Sequence, residues 1–117
     1  MISKTVMIVD DESMIRNIVK KILNIKGHSC IEAESGVQAI NLLKENTDIE
    51  FIILDLTMPG MSGEDTYYKI REFNNSVKVI ISSGLVDTDL REKLYNDGVM
   101  KFLQKPFKMD ELVASLQ

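Results

Sequence analysis

The chain has one cysteine, one histidine and two prolines in 117 residues, and no apolar run approaching the length of a membrane span. A lone Cys30 excludes an intramolecular disulfide and a thiolate metal cluster, and its place in the apolar segment Ser29–Ala33 predicts a core residue. A spanning helix needs about 20 consecutive apolar residues, so no membrane segment is expected. Met1-Ile2-Ser3-Lys4 runs straight into a strand pattern rather than a signal peptide, and we expect a cytoplasmic protein. Positive charge is also scarce: 14 Lys and Arg stand against 18 Asp and Glu, for a net charge of −4. That balance argues against a nucleic-acid partner, which would need clustered cations, and leaves protein as the route of any output. The single histidine, His28, follows Gly27 in a helix-to-strand turn and reads as a surface residue rather than a metal ligand. Long linkers and low-complexity segments are absent too. With 44% hydrophobic residues, the length suits one domain, 1–117, with one core.

What is present alternates between two periods, short β-branched runs and longer amphipathic stretches, repeated five times. This predicts an α/β protein, a (βα)5 chain around a parallel sheet. Thr5–Val9, Ser29–Ala33, Phe51–Leu54, Val77–Ser82 and Lys101–Leu103 are the predicted strands. Phe51-Ile52-Ile53-Leu54 is apolar without alternation, the pattern of a strand covered on both faces. In the first helix Ile15, Ile18, Val19, Ile22 and Leu23 form one stripe, which Gly27 ends. Ser35-Gly36-Val37-Gln38 has the form of a capping box opening a helix to about Glu45, with Val37, Ile40 and Leu43 as its apolar face. Tyr67, Ile70 and Phe73 give the third helix its inner face. The fourth, Thr88–Asp97, has Leu90 and Leu94 as its clearest apolar positions and should be the most weakly anchored. Leu112, Val113 and Leu116 mark the last.

Acidic residues sit where apolar strands end: Asp10 and Asp11 after Thr5–Val9, and Asp55 after Phe51–Leu54. Packing cannot account for them, because burying uncompensated like charges costs several kcal/mol. If the two strands lie side by side and parallel, the three carboxylates converge on a hard divalent cation, and an oxygen-only, partly open set suits Mg²⁺. Lys105, before Pro106, adds a point charge that can pair with a phosphate. In an open α/β sheet, ligands bind beyond the carboxyl ends of the strands, and Asp10, Asp11, Asp55, Ser83 and Lys105 all fall there. The set reads as a phosphoryl site. The loop Met58-Pro59-Gly60-Met61-Ser62-Gly63 has the length of an active-site loop, with Met58 and Met61 as candidates to line it.

Val9-Asp10-Asp11-Glu12, Ile53-Leu54-Asp55-Leu56-Thr57-Met58-Pro59-Gly60, Ile81-Ser82-Ser83-Gly84 and Lys105-Pro106-Phe107 resemble, in order and separation, the signatures of CheY-like receiver domains of bacterial two-component response regulators. The resemblance covers nearly the whole chain and implies a flavodoxin-like sheet in strand order 2-1-3-4-5. It implies that Asp55 is the phosphoacceptor, that Asp10 and Asp11 bind Mg²⁺ (Mn²⁺ substituting), and that the backbone carbonyl of Thr57 is a further ligand. Ser83 would be the switch hydroxyl, with Ser82 its competitor, Lys105 the phosphate-pairing lysine, and Phe102 the switch aromatic. Phe102 lacks the hydroxyl of the tyrosine often found there, so packing must set its position, and an incompletely locked switch is expected. Lys105-Pro106 would be a cis peptide. A sensor histidine kinase or histidine phosphotransfer protein would supply the phosphoryl group. A downstream protein would read the face of the fourth helix, fifth strand and fifth helix, on a monomer or a phosphorylation-promoted dimer. The domain would catalyse its own phosphorylation and dephosphorylation rather than turn over a separate substrate.

Each residue alone has a plainer reading. Asp10-Asp11 could be an acidic helix N-terminus favoured by the macrodipole, Ser83 a turn residue before Gly84, and Phe102 ordinary core. Three rival functions fit less well. A haloacid-dehalogenase-type phosphatase wants Asp-x-Asp and a cap, a dinucleotide-binding module wants G-x-G-x-x-G after the first strand, and a phosphorylation-incompetent pseudo-receiver would lack one of the acidic residues present.

Overall fold

The computed structural model describes residues 3–84 and 87–117; Met1 and Ile2, read above as the lead into the first strand, lie outside the described residues. Its elements are β1 (Thr5–Val9), α1 (Ser13–Ile25), β2 (Ser29–Ala33), α2 (Gly36–Glu45), β3 (Phe51–Asp55), α3 (Gly63–Phe73), β4 (Lys78–Ser83), α4 (Thr88–Asn96), β5 (Lys101–Gln104) and α5 (Met109–Ala114). All four strand pairings are parallel and the order is β2-β1-β3-β4-β5, as expected. Strand bounds move by a residue or so at β3, β4 and β5, so Asp55 and Ser83 are the last residues of their strands rather than the first beyond them.

Side-chain alternation divides the interior in two. Val6, Ile8, Phe51, Ile53 and Ile80 face Val19 and Leu23 of α1 and Leu112 and Leu116 at α5. Met7, Val9, Ile52, Leu54, Val79 and Ile81 face Ala39 and Leu43 of α2, Tyr67 and Ile70 of α3, and Leu94 of α4. Both faces of β3 are therefore covered, which is why its sequence shows no polar alternation. Ser35 Oγ accepts from the Gln38 N–H at 3.1 Å, as the capping pattern predicts, while the Gln38 side chain accepts from Glu34 N–H rather than from Ser35. Gly27 takes a positive φ of 86°, a conformation open to glycine at a helix end.

Several packing expectations need correction. Ile18 is half exposed, since Val19 and Leu23 make the sheet contact and Ile18 lies at the rim of an apolar groove shared with Pro106 and Phe107. Val37 is exposed and Ala39 takes its place, because α2 packs closely on α3: a Cβ on Gly36 would collide with the Thr66 hydroxyl. Phe73 is also partly exposed, with its ring under the Lys44 ammonium. Cys30 is only partly buried. His28 is buried, not superficial, and its Nδ1 accepts from the Lys4 N–H at 3.0 Å, closing the turn against the start of β1.

α4 has few apolar anchors, in keeping with its sequence. Leu94 is its one fully buried side chain, but polar contacts tie it to α3. Lys93 pairs with Glu64 at 3.0 Å, the Tyr67 hydroxyl donates to the Asp97 carbonyl at 2.5 Å, and Arg71 donates to the Gly98 carbonyl just beyond α4 at 3.4 Å.

Candidate functional site

The site is assembled by register. Val9 pairs with Leu54, so Asp10 and Asp55 project from adjacent strands one residue further on. Asp10 remains strand-like, its N–H donating to the Ala33 carbonyl at 3.1 Å. Its carboxylate is then fixed twice, Oδ1 accepting from Glu12 N–H at 2.9 Å and Oδ2 from Lys105 Nζ at 2.8 Å. Asp55 Oδ1 accepts from Thr57 N–H at 3.3 Å and lies 3.5 Å from Lys105 Nζ. Asp10 and Asp55 are buried, whereas Asp11 is exposed. An oxygen from each of Asp10, Asp11 and Asp55 falls within one 4.8 Å group.

Lys105 reaches this point because β5 is held in line with β4, the Lys105 N–H donating to the Ser83 carbonyl at 2.8 Å; the Lys105-Pro106 peptide that follows is cis. Gly63 permits the other wall. A Cβ there would collide with the Asp55 carbonyl and Leu56 Cα, so only glycine lets α3 begin directly against the end of β3. The result is an open pocket of about 490 Å³ lined by Asp11, Glu12, Asp55, Thr57, Met58, Pro59, Gly84 and Lys105. Met58 lines it as expected; Met61 does not, and sits instead beside Gly36.

Burial raises the Asp55 pKa; Lys105 opposes that shift and the Asp10 charge adds to it. For Lys105, burial alone would lower the pKa, but the hydrogen bond to Asp10 and the charges of Asp55 and Asp10 outweigh it and push it up. Lys105 is therefore a firmly held cation. Three carboxylates against one ammonium leave two negative charges in an oxygen-only, partly open site. That donor set fits a hard divalent ion such as Mg²⁺.

Ser82 and Ser83 point to opposite faces of the sheet. Ser82 pairs in register with Asp55 on the Ile80 face, and its buried Oγ lacks a hydrogen-bond partner among the described residues. Ser83, also buried, shares the Ile81 face with Phe102. The Phe102 ring packs between Tyr95, at 5.0 Å between centroids, and the Arg91 guanidinium, at 5.0 Å from the ring centre; Tyr95 OH accepts from the Phe102 N–H at 3.2 Å.

Sequence reasoning missed Tyr95 and Arg91 around Phe102, and Arg16 beneath Asp10. Arg16 Nη1 donates to the Asp10 carbonyl at 2.7 Å. Neither spacing nor hydropathy distinguishes these residues from ordinary helix-surface side chains.

With this fold and this acidic pocket, the chain belongs to the response regulator receiver domain family, whose model matches residues 6–117, and it is a phosphoacceptor signalling domain of the two-component class. It is 28% identical over 113 residues to the sporulation initiation phosphotransferase F of Bacillus subtilis, covering 96% of this chain and 90% of that one. It is 36% identical to the DNA-binding transcriptional regulator NtrC of Klebsiella pneumoniae, covering 92% of this chain; like several other curated relatives, that protein is much longer, and the chain spans 23% of it. Among solved structures, response regulator TrrA of Thermotoga maritima, described as a complex with Mg²⁺ and BeF, superposes with a TM-score of 0.85 at 29% identity, covering 97% of this chain and 96% of that one.

Proposed function

We propose that residues 1–117 act as one receiver domain in which Asp55 accepts a phosphoryl group, with Asp10, Asp11 and the Thr57 carbonyl as its metal-site partners and Lys105 as the phosphate-pairing cation. The observation that carries this reading is the meeting of three carboxylates with Lys105 Nζ, which is 2.8 Å from Asp10 and 3.5 Å from Asp55. Mg²⁺ bound there would offset the negative charge of the incoming group and hold it in line. Asp55, ionised, attacks phosphorus; the bond to the donor atom breaks and the donor leaves with its electron pair, so that an aspartyl phosphate forms. Lys105, already aimed at Asp55, moves its charge to a phosphate oxygen. Water attack on phosphorus reverses the modification and releases inorganic phosphate.

The Ser83 hydroxyl then turns to the phosphate, and Phe102 on the same face follows into the space vacated, altering the surface of α4, β5 and α5. The donor is a phosphohistidine of a sensor histidine kinase or histidine phosphotransfer protein, and the reader is a downstream protein. Relatives named as a phosphotransferase and as a sensor kinase support that partner class. The chain would work in the cytoplasm; no described helix is long and apolar enough to cross a membrane.

Incubation with acetyl phosphate and Mg²⁺, followed by intact mass, tests the core of this reading. One added phosphoryl group is expected, absent with EDTA and absent in Asp55→Asn. Undiminished labelling of Asp55→Asn would overturn the assignment.

A further inference from the structure

The turn that carries the two acidic ligands rests on a side chain the phosphoryl chemistry does not use. Arg16, in the first turn of α1, reaches back toward the sheet: Nη1 donates to the Asp10 carbonyl at 2.7 Å and Nε to Glu32 Oε1 on β2 at 3.2 Å. The other Glu32 oxygen takes Lys20 Nζ at 3.4 Å, which fixes the carboxylate from the α1 side as well. The Arg16 side chain is 13% exposed and that of Glu32 30%, so the contacts are partly shielded from water. A guanidinium bound at two separate nitrogens has its plane set, which a single-headed ammonium cannot reproduce.

The carbonyl that Arg16 holds belongs to the peptide joining Asp10 to Asp11. That peptide is planar, so fixing the carbonyl also fixes the direction in which the chain enters Asp11. Asp10 needs little further help, because its N–H and both its carboxylate oxygens are already bonded. Asp11 is exposed, and its carboxylate reaches the other two from the residue that this peptide leads into.

We propose that Arg16, oriented by Glu32, is a positioning residue for the metal-binding carboxylates: it holds the Asp10–Asp11 peptide so that Asp11 converges with Asp10 and Asp55. This rests on the reading of those three as the cation site. It can be separated from a simple charge effect by sign. A guanidinium acting only through its charge repels a cation, so its removal would tighten Mg²⁺ binding. A guanidinium that positions the ligands loosens binding when removed.

The test is Mg²⁺ titration calorimetry on the full chain, wild type against Arg16→Gln, Arg16→Lys and Glu32→Gln, with melting in EDTA to show that each variant is folded. Loss of such an outer partner typically weakens metal binding by about tenfold or more, and that loss is expected in Arg16→Gln, without rescue by lysine. Unchanged or tighter binding in Arg16→Gln would overturn the proposal. A second readout needs no metal: the Glu12 amide, bonded to Asp10 Oδ1, should exchange faster with solvent in Arg16→Gln while the core amide of Ile52 is unaffected. Unaltered Glu12 exchange would also overturn it. If Arg16→Gln fails to fold, Glu32→Gln carries the same two expectations. A wild type that binds no Mg²⁺ overturns the site reading and this inference together, whereas normal wild-type binding with an indifferent Arg16→Gln overturns only the inference.

Discussion

Asp11→Asn should make the protein more stable without Mg²⁺ and less stable with it. Asp10 and Asp55 both face Lys105, but Asp11 is exposed and its oxygen lies within 4.8 Å of theirs. Two unit charges at that separation repel by about 0.9 kcal/mol in bulk water and by about 3.5 kcal/mol at an effective dielectric of 20. Exposure puts Asp11 near the first limit, and screening by salt reduces the sum of its two pairs, so the amide should gain about 1–2 kcal/mol in the metal-free state. Mg²⁺ acts the other way. An ion bound only by the folded state adds about 2.7 kcal/mol at a hundredfold excess over its dissociation constant, and the variant forfeits most of that. Urea unfolding followed by circular dichroism, in EDTA and in excess Mg²⁺, gives both numbers from paired curves. The reasoning fails if the variant is no more stable than wild type in EDTA, or if Mg²⁺ raises both midpoints equally.

Lys105→Met should strongly destabilise the metal-free protein, by about 3–5 kcal/mol at neutral pH, because it leaves two buried carboxylates without their cation. Burial raises the folded-state pKa of Asp55 and Lys105 holds it down, so the variant raises it further; Asp55 then favours folding below its unfolded pKa and loses that advantage as pH rises through the folded value. The deficit should therefore shrink on acidification, and urea midpoints that show a constant deficit across that range would count against the pairing. Gly63→Ala should cost about 1–3 kcal/mol through its collision with the Asp55 carbonyl and Leu56, and an unchanged melting curve would show that α3 yields easily. Tyr67→Phe removes the buried hydroxyl that links Arg71 to the Asp97 carbonyl, a loss of about 1–3 kcal/mol in denaturant unfolding; no loss would mean that α4 does not depend on this clasp. Beryllofluoride with Mg²⁺ should shift NMR signals from Ser83 through Lys105 in the wild type and fewer of them in Ser83→Ala, while shifts confined to Asp10, Asp11 and Asp55 would refute the switch.

By itself the sequence determined the alternation of strands and helices, the burial of β3 on both faces, and the placing of Asp10, Asp11, Asp55 and Lys105 at strand ends. These are properties of short segments: periodicity and apolar runs report how a residue is oriented relative to its own neighbours. Tertiary structure decided what depends on which neighbour arrives from elsewhere in the chain. Val37 and Ala39 are both apolar and stand two residues apart on α2, on different sides of the helix, and the close approach of α3 at Gly36 leaves the smaller buried and the larger exposed. His28 became a buried acceptor because Lys4, 24 residues away, delivers an N–H to it. The same holds around the site. Glu32 lies 16 residues from Arg16 and Lys105 lies 95 from Asp10, and neither bond leaves a periodic trace. The lysine was legible because an isolated cation opposite three strand-end carboxylates has an electrostatic task. Arg16 was not, because a helix carries many surface cations and only the fold shows which of them turns inward to hold a peptide.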